Sequence, residues 1–553
     1  MTLRRFLGGL VGAAAMIAVV NVASRLVGFG RWLVMLSEVG ADTVGNAYSS
    51  ANMLPNVLFE VVAGGALAGA VVPLIAAPLA LSMRRDVDRI ASALLGWALA
   101  VLVPLAIVVA VAARPLVALF MQGRATAEID LAATFLTAFA AQIPLYGIGV
   151  VLTGVLQAQR RFLAAALAPL LNSVVVIAVF VVFGQMVPGP KDDPAAVAAG
   201  AVALLGWGTT AGVAVMSLPL LLPVHRLGVR LRPTLRFPEG VAARARGLAV
   251  AGLGALVAQQ VSVLAGLGMA NAYGEAGTVP VFLSAQAVYF LPYAVLAFPL
   301  ATATLPRLAE RAAHDDAVGF ATLASRTTRT VLLVSAVGAA ALVAVAPAVE
   351  VVFDVVAEGD VSGMGVGLTW MAPGLLGFAL ILHLSRALYA LHKGRSAVTA
   401  SAAGWLVVAA GAVVAVLVFT GGERDQPATL AGLGLATSLG MTVAGVGLLL
   451  GVLRAAGRDA VEGVARTAVV LVLGGAAGAA GGRWVADLVL SAESGAGMAL
   501  VAGVGGSVAA GLVVVVATWL LDASALRALA SVPAASGPSG TGQAPEVPPG
   551  TAS

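Results

Sequence analysis

The chain has no cysteine, so disulfides, thiolate catalysis and zinc–thiolate sites are excluded. Its four histidines, His225, His314, His383 and His392, show no metal-ligand spacing. His383 and His392 read as residues bordering a helix end, and no metal or cofactor is expected. Charge is scarce: 10% of residues are Asp, Glu, Lys or Arg, against roughly a quarter in an average globular domain. No Walker motif, no pair of carboxylates within one apolar segment and no nucleophile with a plausible histidine base can be found. Nucleotide hydrolysis and hydrolytic catalysis therefore have little support, and no nucleic-acid partner is expected.

What remains is apolar. Hydrophobic residues make up 60% of the 553, and the mean hydropathy is +1.02. Runs of 18 or more apolar residues recur along the chain, each able to cross a hydrocarbon core about 30 Å thick. The alternation of a transmembrane barrel is absent. The fold class is thus an all-α polytopic membrane protein with about fourteen transmembrane helices. The charged start and apolar middle of MTLRRFLGGLVGAAAMIAVV suggest a signal peptide, but the apolar run continues into a polar motif, so it reads as a retained first span.

Basic residues set the orientation. With a cytoplasmic amino terminus, most of the 31 Lys and Arg residues fall on inside loops. Examples are Arg84, Arg85 and Arg89, then Arg160 and Arg161, Arg307 and Arg311, Lys393 and Arg395. The outside loops carry Asp192 and Asp193, Glu358 and Asp360, Glu423 and Asp425. Both termini are expected in the cytoplasm, with the chain passing the membrane many times.

An internal repeat is visible. NMLPNVLFEVVAGGALAGAVVPLI (52–75) is echoed by YFLPYAVLAFPLATATLPRLA (289–309), and IPLYGIGVVLTGVLQAQRRF (143–162) by APGLLGFALILHLSRALYALHKGR (372–395). The echoes fall in the second and eighth segments and in the fourth and tenth. Two six-helix lobes in pseudo-two-fold parallel repeat are implied, with a substrate site between them. The expected division is 1–224 for the first lobe, 225–246 for a basic cytoplasmic linker and 247–456 for the second lobe. Residues 457–522 add two helices, and 523–553 form a disordered cytoplasmic tail. GGAAGAAGG in the thirteenth segment reads as close helix packing through small residues.

Arg25 and Arg31 lie within the first apolar segment. A charge at membrane depth costs a few kcal/mol at least and normally faces a protein-lined path. The planar guanidinium fork suits a phosphate, so both are candidate substrate residues. Six residues apart, they diverge by roughly 120° on a straight helix, unless Gly28 and Gly30 bend it so that both point inward. Glu60, in the kinked second segment, is open to three readings: a gate pairing with Arg25 or Arg31, a protonation or cation site, or a static ion pair. Asn46, Asn52 and Asn56, with Gln259 and Gln286, sit in segments paired by the repeat and are candidates to line a polar cavity from both lobes.

SRLVGFGR (24–31) and NAYSSANMLPNVLFEVVAGGALAGAVVPL (46–74) resemble the amino-terminal signature of the MurJ/MviN family of bacterial lipid II flippases. LQAQRRFLAAALAPLLNSVVVI (156–177), ATATLPRLAERA (301–312) and SRALYALHKGRS (385–396) are similar to further blocks of that family, in order, and the composition looks most like its actinobacterial branch. The resemblance implies a two-lobed alternating-access fold of the multidrug/oligosaccharidyl-lipid/polysaccharide superfamily. It also implies movement of undecaprenyl-pyrophosphate-linked peptidoglycan precursor, lipid II, to the outer leaflet for cell-wall synthesis and cell shape. Arg25 and Arg31 would hold the pyrophosphate, and the last two helices would border a groove for the lipid tail. Partners would be lipid II, membrane lipids and proteins of cell-wall synthesis and division, with the protein acting as a monomer. Many members have an acidic residue at the position of Asn46, arginine at Phe59 and Ala287, and glutamate at Gly64, so the positive pocket is thinner here. A flippase for another polyprenyl-linked glycan, a cation-coupled multidrug exporter and a non-transporting scaffold of the cell-wall machinery remain alternatives.

Overall fold

The computed structural model describes residues 10–61, 68–243, 245, 253–490 and 494–531. Among them the regular structure is helical. In chain order the helices are α1 (Leu10–Glu38), α2 (Thr43–Phe59), α3 (Ala68–Ala80), α4 (Arg84–Val111), α5 (Ala113–Phe120), α6 (Thr126–Ala140), α7 (Gln142–Ala158) and α8 (Phe162–Met186). They continue with α9 (Ala199–Ser217), α10 (Leu221–Arg226), α11 (Leu253–Tyr273), α12 (Thr278–Pro292), α13 (Phe298–Ala313) and α14 (Ala317–Val356). The last are α15 (Met364–Met371), α16 (Gly374–Ala390), α17 (Gly394–Thr420), α18 (Gln426–Ala456), α19 (Val464–Val489), α20 (Ala496–Leu521) and α21 (Ala523–Ser531). Twelve helical spans are long and apolar enough to cross a membrane, and α15 with α16, bent by 50°, make a thirteenth. The remaining expected segment is the pair α2 and α3, which flank residues 62–67; Gly64 and Gly65 lie outside the described residues.

Local chemistry sets the helix starts. Asp42 accepts from the backbone N–H groups of Val44 and Gly45 at the head of α2, and Asp425 accepts from Ala428 at the head of α18. Asp316 does the same for α14 through Gly319. Each satisfies an N–H that a helix cannot pair internally. Leu54-Pro55 is followed by a π-helical turn from Glu60, and Leu291-Pro292 by a π-helical turn at Tyr293–Ala297. The fourth segment is interrupted at Ala141 and the tenth between α15 and α16. The breaks therefore fall in the segment pairs that echo each other in sequence.

Packing sorts the helices into two groups. Helices α1 to α9 pack among themselves, chiefly α1 and α9 on α8, α2 on α6, and α4 on α7. Helices α11 to α18 form the second group, in which α17 and α18 pack along each other and α14 packs on α16. α19 and α20 pack together and on α14. The GGAAGAAGG stretch lies at that seam: a side chain added at Gly482 would collide with the Gly506 carbonyl, and one at Gly478 with Ala510. Outward faces are apolar, as with Leu500, Val504 and Leu512 on α20, whereas polar groups such as Asn46, Gln142 and Asn271 are buried. That inversion suits a lipid surround, in which interior polar groups need partners within the protein. His383 is buried within α16 beside Thr327, with 3.0 Å between Nε2 and Oγ1, rather than bordering a helix end. In the stretch that joins the two groups along the chain, Thr234 N donates to Ser92 O and Arg230 N to the Asp88 carboxylate, so the basic linker lies along α4 of the first group.

The first nine residues of the expected disordered tail form α21. Asp522, fully buried, precedes it. Arg329 on α14 donates to Asp522 Oδ1 at 2.9 Å, to Ser524 Oγ at 2.6 Å and to Thr467 Oγ1 at 2.8 Å, and Thr467 donates to Asp522 Oδ2 at 2.5 Å. Burial raises the Asp522 carboxyl, but hydrogen bonds from Ser524 and Thr467 and the Arg329 charge outweigh it and hold the group below the ordinary carboxylate range. A carboxylate depressed in the folded state adds stability that is present above its unfolded pKa and is lost as pH falls through the folded value. Asp522→Ala is expected to lower stability by about 3 kcal/mol at neutral pH, as for breaking a buried ion pair. Asp522→Asn should in addition flatten the acid limb of stability against pH. Thermal unfolding in detergent between pH 3 and 8 checks both.

Candidate functional site

The two lobes are tied together at one end. Ala41 N donates to Glu358 O at 2.6 Å and Glu358 N to Leu36 O at 2.9 Å. Lys191, itself buried, forms an ion pair with Glu358. Two arginines cross reciprocally: Arg124 donates to the carbonyls of Gly274 and Glu275 at 2.9 and 2.7 Å, and Arg424 to that of Gly123 at 2.7 Å. Deeper in, Asn46 is fully buried and donates to Glu128 at 2.7 Å and to Asn271 Oδ1 at 2.9 Å, while its own oxygen accepts from Val279 N. Asn271 in turn donates to Ser50 Oγ at 3.2 Å. Among the described residues, all hydrogen bonds between the lobes lie at this closed end. Asn46 thus stands in the seam between lobes and lines neither of the chambers described next.

Towards the other end, the first lobe holds a cavity of about 340 Å³. Arg31, Asn52, Asn56 and Glu60 line it, with Tyr146 and Asn172. Tyr146 OH donates to Asn56 Oδ1 at 3.0 Å, and Asn56 Nδ2 to Asn52 O at 2.9 Å. Phe59 packs against the Tyr146 ring at 4.5 Å. The side-chain oxygens of Asn52 and Asn172 are buried without a partner within the protein. Such orphaned acceptors are uncommon in a folded interior, and here they belong to walls of one chamber that also holds a cation. Arg31 and Glu60 share the chamber but form no ion pair among the described residues.

α1 runs unbroken through Gly28 and Gly30, so the bend that would aim both arginines the same way is not made. Arg31 turns into the first-lobe cavity, and Arg25, exposed, crosses to the second lobe with its guanidinium carbon 5.4 Å from the Phe298 ring centroid. Gln286 lines a smaller chamber of about 70 Å³ in the second lobe, with Tyr289, Phe378 and Trp405, and Met53 of the first lobe closes one side. Gln259 lines neither chamber. An apolar groove of about 410 Å³ runs between α14, α16, α18 and α19, walled by Leu332, Leu376, Leu449 and Leu471. α20 does not line it.

Sequence reasoning passed over Glu128, Tyr146, Asn172, Asn271 and Arg386. Arg386 was counted with the inside loops although it sits inside a helix, and Glu128, in the first turn of α6, was not singled out within its apolar segment. Tyr146 could have been found from the IPLYGIG block, whose echo supports the repeat.

A sequence model of the lipid II flippase MurJ family matches residues 35–491. A probable lipid II flippase MurJ of Rhizobium meliloti strain 1021 is 28% identical over 352 residues, covering 62% of this chain and 63% of that protein. The corresponding protein of Rhizobium tropici is 26% identical over 333 residues, 58% of this chain and 59% of that one. The matches thus span about three fifths of the length of these relatives. In three dimensions the chain is similar to a lipid II flippase MurJ in an inward closed conformation, with TM-score 0.70 and 15% identity over 93% of this chain and all of that one. It is also similar to an inward-facing multidrug resistance transporter of the MATE family, with TM-score 0.63 and 16% identity over 79% of this chain and 98% of that one. At these identities the structures speak to fold alone.

The closed end carries a titratable cap. Burial pushes the Asp42 carboxyl up to about 6 against the hydrogen bonds from Gly45 and Val44; Asp192 adds to the rise and Lys191 opposes it. An acid whose folded pKa is raised binds more protons folded than unfolded between its ordinary value and about 6, so the fold loses stability as pH rises through that window. Thermal unfolding in detergent should show a higher midpoint at pH 5 than at pH 7.5 from this group. Asp42→Asn keeps a capping oxygen and should remove the difference.

Proposed function

Since the chain belongs to the lipid II flippase MurJ family, we propose that it moves polyprenyl-pyrophosphate-linked peptidoglycan precursor, lipid II, from the inner to the outer leaflet by alternating access. The observation that carries this reading is the first-lobe chamber. It combines the Arg31 guanidinium, without a carboxylate partner, and the amide oxygens of Asn52 and Asn172. A guanidinium at membrane depth offers two parallel hydrogen bonds to a phosphate oxygen pair. Amides and the Tyr146 hydroxyl suit a glycan, whose hydroxyls both donate and accept. Arg25 adds a second cation on the path between lobes.

The lipid tail needs a different surface. We assign it to the apolar groove beside α19, which an alkyl chain can fill while the headgroup occupies the polar chamber. By the distribution of basic residues, both termini and the 225–246 linker face the cytoplasm, so the closed end faces outward and this conformation admits substrate from within. Exchange of access then requires parting of the Asn46–Asn271 and Lys191–Glu358 ties and closure of the opposite end. The substrate drives that exchange only to the extent that it binds the alternative state better. One chain lines the whole chamber, which suits a monomer working in the plasma membrane. The likeness to a MATE fold keeps drug export as a second reading; Glu60 is the carboxylate in the chamber available to such a mechanism.

Complementation tests the choice. In cells depleted of their own lipid II flippase, the wild-type chain is expected to restore growth and lipid II labelling at the outer leaflet. Arg31→Ala and Arg25→Ala, at matched abundance, are each expected to lower labelling by at least about tenfold, the loss of one charge-assisted contact. A well-expressed wild type that fails to rescue overturns the lipid II assignment. Rescue by both variants removes the arginines from the path.

A further inference from the structure

Arg386 lies on α16 one turn from its end, half-buried, and donates from Nη1 to Thr302 Oγ1 at 3.2 Å. The Thr302 hydroxyl gives its own proton to the Phe298 carbonyl at 2.8 Å, so its free lone pairs are what Arg386 meets. Phe298, which carries the Arg25 guanidinium over its ring, is one turn from Thr302 on α13. Residues four apart share a helix face. One cation from each lobe is thereby set against adjacent turns of a single helix. Tyr293, at the start of the π-helical turn, packs 6.3 Å from the Phe298 ring and lies within electrostatic reach of both guanidiniums.

Neither arginine has an acidic partner among the described residues. Two uncompensated like charges at one place repel, and the repulsion is relieved by an anion between them. The position is also informative. Gly277, at the head of α12, abuts Ala41 in the closed end. Phe298 is 21 residues further along a continuous span, roughly 30 Å away at the helical rise. The pair therefore stands towards the end opposite the closed seam, about one hydrocarbon thickness from it.

We propose that Arg25 and Arg386, beside Tyr293, form a pyrophosphate-binding site that straddles the two lobes at the open mouth and captures the lipid headgroup before the glycan reaches the Arg31 chamber. The assignment rests on the lipid-linked pyrophosphate reading of transport. Two guanidinium forks match two phosphoryl groups, so the site selects a pyrophosphate over a monophosphate, which can engage only one fork fully. Arg386 would serve where the family arginines expected at Phe59 and Ala287 are absent. An anion held by both lobes also links headgroup capture to their approach at this end.

The test is equilibrium binding to the purified full chain in phosphatidylcholine nanodiscs, with undecaprenyl pyrophosphate, undecaprenyl monophosphate and phosphatidylglycerol as separate probes. Wild type is expected to prefer the pyrophosphate. Arg386→Ala should weaken the pyrophosphate by about tenfold and the monophosphate by no more than about threefold, the difference of one guanidinium fork. Thr302→Val, which leaves the charge but frees its orientation, should weaken the pyrophosphate by a smaller factor; unchanged thermal unfolding of both variants excludes misfolding as the cause. Wild-type pyrophosphate affinity in folded Arg386→Ala overturns the site, as does phosphatidylglycerol competing as well as the pyrophosphate, which would mark a general anionic-lipid contact. The two levels separate: selective binding lost in Arg386→Ala together with failed lipid II complementation keeps the site and sinks the transport reading. Successful complementation with Arg386→Ala binding as wild type does the reverse.

Discussion

Within a bilayer a polar group that lacks a partner in the protein has no water to turn to, and the closure of this molecule at one end follows from that constraint. Asn46 cannot be left unpaired at the head of α2. It is satisfied by Glu128 from its own lobe and by Asn271 and Val279 N from the other. The backbone exchange between Leu36, Ala41 and Glu358 and the reciprocal arginines Arg124 and Arg424 add further ties. Interhelical hydrogen bonds in membrane proteins average about 0.6 kcal/mol each, so the set holds the lobes by a few kcal/mol. That is the scale on which a two-state equilibrium can be turned over by a ligand, since passing from 1:99 to 99:1 takes about 5.5 kcal/mol. The seam is strong enough to define a state and weak enough to part.

The same constraint explains where the helices break. A proline removes one N–H from the helix ladder, and in the second and eighth segments the Leu-Pro pairs are followed by π-helical turns. Those turns carry or adjoin Glu60 and Tyr293, the residues nearest the proposed headgroup path. Irregular backbone at membrane depth is tolerated where it lines a cavity. The breaks are thus part of the chamber and not of the lipid-facing scaffold.

Much of this was legible. Apolar runs gave the helices and the kink of the second segment, and the other breaks lie in segments that echo each other, where no break was expected. Asn52 and Asn56, four apart, were bound to share a face, and the structure puts both on the chamber with Arg31 and Glu60. Asn46 is six residues before Asn52, a rotation of roughly 120° on the same helix, and so faces the seam instead. The first helix repeats the lesson. Gly28 and Gly30 permit a bend but do not compel one, and without it Arg25 and Arg31 diverge into different lobes. A hydropathy reading also assigns charges near helix ends to loops, which hid Arg386, and it passes over a lone carboxylate such as Glu128 at the head of an apolar run. Their roles depend on which neighbour the tertiary fold brings opposite, and the linear sequence does not state that.

The diverging arginines fit a substrate handled in parts. A single deep pocket that gathered every cation within one lobe would bind the pyrophosphate equally tightly in both states, and equal tightness shifts no equilibrium. Here one cation serves the chamber, and a second stands at the mouth opposite a partner from the other lobe. Contacts at the mouth depend on how the lobes approach, so their strength changes with conformation, whereas contacts to Arg31 stay within one lobe and change less. Division of the positive charge between a site that follows lobe movement and one that does not provides a differential affinity. The thinner pocket, lacking arginine at Phe59 and Ala287, is on this argument a redistribution of charge towards the moving seam.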